Sequence, residues 1–221
     1  MLGFAIQKGE KVHVIGACPK DGYEKSAVQL LQNCDRFIAR EGFVKVDFPE
    51  EGFTQMEEYQ AYFEKQGYTF EPYVEMDMWL KDYTMPQMPV PEGVTFDYYK
   101  GSLAELREAV AKVEENWVQF FNEGDCFYCG FLDGKIVSLC ILGFDDDWVI
   151  SDSSMRVGSV GCVGTVPEYR KKGIGLAMVA HATQILKEAG CDKSFIHYTA
   201  LDKWYGRLGY ETCMAFALGE K

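Results

Sequence analysis

The run Arg170-Lys171-Lys172-Gly173-Ile174-Gly175 places three cations directly before two glycines, in a chain where 34 Asp and Glu outnumber 22 Lys and Arg. Against a net charge of −12, this basic run is a local exception. It follows Val163-Gly164-Thr165-Val166-Pro167, a β-rich stretch that Pro167 must end, and it precedes the apolar periodicity of a helix opening at Ile174. The first turn of a helix carries amide N–H groups without intrahelical acceptors, and its dipole favours anions. Glycines let a diphosphate approach that backbone, while Arg170, Lys171 and Lys172 add charge. These residue types in this order predict a polyanionic ligand held along Lys171–Leu176. The plainer alternative is a solvated basic turn with two packing glycines.

Other phosphate loops fit less well. A Walker A loop needs Lys-Ser/Thr after its glycine, but Ile174-Gly175 follows Gly173. A dinucleotide fingerprint needs a third glycine where Met178 stands, and its glycines should follow the strand directly.

The elements that must position this turn can be read around it. The sequence predicts a strand at Val94–Tyr99, a helix over Leu103–Phe121, and strands at Cys126–Leu132 and Lys135–Phe144 joined by an Asp133-Gly134 hairpin turn. A strand at Ser159–Val166 and a helix at Ile174–Ala189 closed by Gly190 follow. A strand at Lys193–Tyr198, a short helix at Leu201–Leu208 and a last strand at Tyr210–Leu218 complete an α/β (α+β) pattern, a mixed sheet with flanking helices. Three of the seven prolines fall in Pro86–Pro91, which reads as a connector at 85–92 between parts 1–84 and 93–221.

The first part echoes the second. It reads as a strand at Val12–Ala17, a helix at Lys25–Arg40, a strand at Val44–Phe48 and a short helix at Gln55–Gln66. Pro19 to Gly42 is 23 residues, as is Pro167 to Gly190, and Tyr62…Gly67-Tyr68 parallels Trp204…Gly209-Tyr210. This predicts a degenerate internal repeat.

The loop Arg170-Lys-Lys-Gly173-Ile-Gly175 resembles the acetyl-CoA pyrophosphate loop of the GNAT superfamily of N-acetyltransferases, and Tyr205-Gly-Arg-Leu-Gly209-Tyr210 resembles that family's second motif at the family spacing. The resemblance covers 93–221 as a whole domain and 12–84 as a partial one, so the protein looks like a tandem GNAT with one eroded copy. In that copy, Asp21-Gly-Tyr-Glu-Lys-Ser-Ala27 has lost the glycines, and no CoA is expected there.

The resemblance implies an acetyl-CoA-dependent acyl transfer to a primary amine of a small molecule or peptide. It implies that the backbone of Val163, Gly164 and Thr165 splays from its neighbour to bind the pantetheine arm and the acetyl oxygen. Gly164 also suits close approach of a ligand to that strand. The resemblance gives Tyr205 as the acid for the leaving thiolate. The base is not identified; His197, at the end of a strand facing the expected cleft and with a reference pKa near 6.5, is a candidate, and its plainer reading is a satisfied structural histidine. The family's asparagine seven residues before the tyrosine is replaced by Tyr198. A non-catalytic CoA sensor or interaction module is the alternative function.

Plainer readings stand beside the other candidates. Glu168 reads as solvent-exposed, and Asp145-Asp146-Asp147 as a solvated turn without calcium-loop spacing. Cys162 reads as core packing, and Cys126-Phe-Tyr-Cys129 puts its thiols on opposite faces of a strand, so no metal is expected. The acidic balance argues against nucleic acid and anionic membrane partners and favours a cationic acceptor. No run reaches the roughly 18–20 apolar residues of a membrane helix. The N-terminal residues carry no export signal, so the eight cysteines read as reduced thiols in a cytoplasmic protein. A role for the first part in dimerisation, as a homodimer, is also compatible with the sequence.

Overall fold

In a computed structural model, residues 2–8, 11–18 and 43–48 are described as backbone strands, and 60–61, 64–65, 67–145 and 155–220 are described with their side chains. The elements in order are β1 (Leu2–Lys8), β2 (Lys11–Cys18), β3 (Phe43–Phe48), β4 (Thr69–Trp79), β5 (Thr95–Tyr98) and α1 (Leu103–Val113). A 3-10 turn at Glu115–Phe120 leads to β6 (Cys126–Leu132), β7 (Lys135–Gly143) and β8 (Val157–Thr165). Then come α2 (Ile174–Glu188), β9 (Lys193–Thr199), α3 (Asp202–Gly206) and β10 (Glu211–Glu220). The fold is the expected mixed α/β one. The helix expected at Lys25–Arg40, the loop at 21–27 and residues Asp146 and Asp147 lie outside the described residues.

The chain forms two compact units, one of Met1–Glu75, Tyr198–Ala200 and Thr212–Lys221, the other of Met76–His197 and Leu201–Glu211. In the second unit the strand order is β9-β8-β7-β6-β5, with the end of β4 beside β9. β5 through β8 pair antiparallel, and β8 pairs parallel with β9. The turn between β6 and β7 holds Asp133 at φ 50 and Gly134 at φ 75, the double left-handed conformation that matches the twist of a two-residue hairpin.

One face of this sheet is covered by α1. Ser102 caps the helix by accepting the Glu105 N–H at 3.2 Å, and Leu106, Ala109 and Val110 pack into a core with Phe121, Cys129 and Leu139. The single helix expected over Leu103–Phe121 breaks at Glu114, which is extended at φ −159 and caps the following 3-10 turn by accepting the Asn116 N–H. Trp117 and Val118 still meet the same core, so the apolar spacing carries no mark of the break.

The other face is covered by α2. Its residues Ile174–Ala180 are all buried, and its C-terminus closes as expected at Gly190, φ 83. The Gly190 N–H donates to Lys187 O at 3.0 Å and the Cys191 N–H to Leu186 O at 3.0 Å, a Schellman closure.

β8 contains a feature the sequence does not announce. Ile141 pairs with Gly161 and Leu139 with Gly164, so β8 spends one residue more than β7 across this interval. The bulge centres on Cys162, which takes a left-handed φ of 47. It reverses the strand's alternation. A Cβ on Gly158 would meet Leu186 of α2, whereas one on Gly164 would meet Val113 of α1 at 2.6 Å.

In the first unit β1 and β2 form an antiparallel pair. β3 pairs antiparallel with β10 from Phe43↔Glu220 to Phe48↔Ala215, and β10 lies beside Thr69–Glu75 of β4. The expected strands at 12–17 and 44–48 correspond to β2 and β3, and helical residues 60–61 and 64–65 fall within the helix expected at 55–66. β1 and β4 were not foreseen.

Candidate functional site

β8 hands over to the basic turn through Val166, whose N–H donates to Val137 O at 3.0 Å. Pro167 then opens a 3-10 turn that ends at Tyr169. Two left-handed residues follow, Lys171 at φ 62 and Gly173 at φ 82, and Gly173 is the N-cap of α2. A left-handed lysine is unfavourable by about 1–2 kcal/mol, so the surrounding turn must impose it. Gly173 is required twice over, by its φ and because a Cβ there would lie 2.6 Å from Pro89 O. At Gly175 the constraint is contact alone, since a Cβ would lie 2.6 Å from Thr165 Oγ1 and 3.6 Å from the Trp204 indole. Gly175 is buried where the helix meets β8, while Lys171, Lys172 and Gly173 are exposed.

The helix has no side-chain N-cap bond and no acidic residue in its first turn. Its first intrahelical bond is from the Ala177 N–H to Gly173 O at 3.0 Å, so the amides of Ile174, Gly175 and Leu176 precede the ladder. Charge gathers beside them. Lys172 Nζ lies 5.3 Å from the centre of the Tyr169 ring. Arg170 folds back, donating through Nε to Thr165 O at 2.9 Å, so it braces the turn with the same side chain that supplies charge.

The strand end is braced from β7 as well. The Ser138 hydroxyl donates to Gly164 O at 2.7 Å and lies 3.3 Å from the Thr165 hydroxyl. The missing Cβ of Gly164 makes room for Val113 of α1, whose side chain a Cβ there would meet at 2.6 Å. On the opposite edge, β8 pairs with β9 only from Val157↔Lys193 to Ser159↔Phe195. Beyond Ser159 the two strands have no common register, and Val163 and Thr165, both half-buried, fall in that stretch.

Tyr205, on α3, is 5% exposed. Its ring meets Trp204 edge-on at 4.7 Å and Tyr210 at 6.1 Å. Burial, with smaller contributions from Tyr210, Cys140 and Cys162, pushes its phenol well above the usual range, so it stays protonated at neutral pH. The Tyr210 hydroxyl is tied to Thr183 of α2 at 2.8 Å and to Ser194 of β9 at 2.6 Å, which fixes the turn after α3. The His197 ring lies 4.5 Å from that of Phe195, the two planes tilted by 54°. By strand alternation it leaves β9 on the face opposite Ser194, and hence opposite the Tyr210 cluster. The structure thus groups Tyr205 with α2 and places His197 on the other side of the strand. Burial raises the Cys162 thiol to about 11, which keeps it a thiol. Glu168 is exposed, and Asp145 pairs with Arg156.

The sequence model of the Acetyltransferase (GNAT) family matches residues 91–210. The chain belongs to the GNAT acetyltransferase family. No curated protein matches it. Among solved structures it resembles a GCN5-related N-acetyltransferase from Sphaerobacter thermophilus (17% identity, TM-score 0.70, 99% of this chain and 75% of that one). It also resembles a GCN5-related glucosamine N-acetyltransferase region of a fungal multi-domain GH3 β-N-acetylglucosaminidase (20% identity, TM-score 0.64), covering 99% of this chain but 31% of that one. A third is a tandem GNAT protein from the clavulanic acid biosynthesis pathway (11% identity, TM-score 0.61, 99% and 78%). These likenesses establish the fold, and the family implies acyl transfer from acetyl-CoA.

As a GNAT chain, this one carries three features that sequence reasoning missed: the Cys162 bulge, the Ser138 brace and the Trp204 contact with the first turn of α2. The first two depend on which residues face one another across β7 and β8. For Trp204 the only signal was its place beside Tyr205. No helix among the described residues is long and apolar enough to cross a membrane.

Proposed function

We propose that the protein is an N-acetyltransferase that moves an acetyl group from acetyl-CoA to a primary amine of a small, cationic molecule or of a peptide. The observation that carries this reading is the opening of α2, without a side-chain cap, behind an exposed basic turn that continues from the stretch of β8 beyond its register with β9. The residues fit the coenzyme. Backbone amides from Lys171 to Leu176 offer a seat for a diphosphate, with Arg170, Lys171 and Lys172 supplying charge. Val163, Gly164 and Thr165 offer backbone to the pantetheine arm. Gly164 O and Thr165 O are already engaged by Ser138 and Arg170, so those two carbonyls are not the ones offered.

The coenzyme supplies an activated thioester. Attack by the amine forms the amide C–N bond and releases the thiol. An alkylamine of pKa about 10.4 is neutral in about 1 part in 2,500 at pH 7, a deficit of about 4.6 kcal/mol that a base must offset. His197 is the proposed base, acting through water from its own side of β9. Tyr205 holds its proton at neutral pH and is the proposed donor to the leaving sulfur. A phenol this reluctant to ionise transfers its proton readily only to a sulfur whose anion is itself destabilised by burial.

The same reading takes 1–84 as a degenerate partial GNAT copy joined by 85–92 to the acetyl-CoA-binding domain 93–221. It is supported by the matched 23-residue spacings.

Thiol release from acetyl-CoA, measured against polyamines, amino acids, aminoglycosides and peptides, tests the function. Tyr205→Phe is expected to lower kcat about 100-fold while leaving the Kd for CoA within about twofold. Undiminished kcat would remove Tyr205 from the mechanism. CoA binding without turnover of any amine would favour a sensor.

A further inference from the structure

The first unit carries an aromatic cluster that neither the family motifs nor the coenzyme site uses. Tyr73 of β4 and Tyr198 of β9 stack with ring centres 4.2 Å apart and planes 16° from parallel. Phe216 of β10, fully buried, floors the pair at 6.0 and 5.8 Å. Tyr198 is the outer member and remains 48% exposed. Its φ of 52 is left-handed, a backbone state that bulky side chains avoid. A carboxylate accompanies the rings. Tyr73 donates to Glu71 Oε2 at 2.8 Å, and burial, opposed by the hydrogen bond with Tyr73 and helped by smaller effects of the Glu71 and Glu220 charges, raises the Tyr198 phenol above its usual range.

Stacked phenol rings present electron-rich faces, and a carboxylate beside them adds negative potential. Neutral apolar ligands gain only from the rings, and anions are repelled by the carboxylate. An organic ammonium gains from both. The chain's net charge of −12 works in the same direction. We propose that Tyr73, Tyr198 and Glu71 form a binding site for an organic ammonium ion, with the exposed Tyr198 ring as its contact face. Occupancy of this site by the cation does not depend on the proposed acetyl transfer.

Tetramethylammonium tests the site alone, because it has no N–H to acylate. Titrated into the full chain and followed by NMR, it should bind in the millimolar range. The similarly sized neutral tert-butanol should bind at least about tenfold more weakly. Tyr198→Phe keeps the aromatic face and should hold the tetramethylammonium Kd within about threefold, whereas Tyr198→Leu should raise it about tenfold. Glu71→Gln should raise it about threefold and reduce its dependence on salt. Equal binding of the cation and tert-butanol, no binding of the cation, or unchanged binding by a folded Tyr198→Leu would overturn the proposal. Failure of acetyl transfer with the cation still bound would overturn the transferase reading and leave this site standing.

Discussion

The two ends of α2 are built on opposite plans. At the C-terminus the orphan carbonyls are taken. Arg156 donates to Ala189 O, and Gly190 and Cys191 complete the Schellman closure, while the Lys187 ammonium ties the last turn to the chain outside the helix by donating to Lys81 O and Tyr83 O at 2.9 and 2.6 Å. At the N-terminus nothing from the side chains closes the ladder, and the three residues before the Gly173 cap are all basic. One helix, with one dipole, is therefore sealed where it serves stability and left open where an anion can complete it. What differs is not propensity but the choice of a glycine cap without a side-chain acceptor at one end and of donors at the other.

The sharpest way to break this contrast is to disturb the open end. Gly175→Val would drive a side chain into Thr165 Oγ1 and displace the first turn, and a loss of CoA affinity of about 100-fold or more by calorimetry is expected. Next comes Lys171→Glu with Lys172→Glu, which keeps the backbone and reverses the charge. CoA affinity should fall about tenfold, with a weaker dependence on salt. The smallest effect on binding is expected at the closed end. Arg156→Ala should lower Tm by about 2–4 °C and leave CoA affinity within about twofold. If Arg156→Ala weakened CoA as much as the lysine reversal did, the division of labour between the two ends would not hold.

Much of the second unit was legible because its determinants are local. Asp133-Gly134 needs only two adjacent residues to specify its turn, and Gly190 needs only its own φ. The Arg170–Gly175 loop and the Tyr205–Tyr210 motif carry their signal within a few positions. What escaped depends on residues far apart in the chain. Glu114 interrupts a helix whose apolar spacing runs on undisturbed through Trp117 and Phe120. β4 alternates only loosely, with Met76 and Met78 buried but Tyr73 and Asp77 half-exposed, so its pattern is weak until its neighbours are known. Nothing near Tyr198 indicates that Tyr73, 125 positions earlier, will lie flat against it. His197 shows the limit from another side. Its residue type suited a base, but the side of β9 on which it emerges is a property of the strand.

The supernumerary residue in β8 has a further consequence for what changes this strand can absorb. With Cys162 present, Gly164 turns toward Val113 and Thr165 toward Gly175. Deleting one residue from Gly161–Val163 would swap that parity, driving the threonine into α1 and leaving α2 without its neighbour. Point replacements in this stretch should therefore be far better tolerated than any alteration of its length, and the segment behaves as a ruler whose count matters more than its lettering.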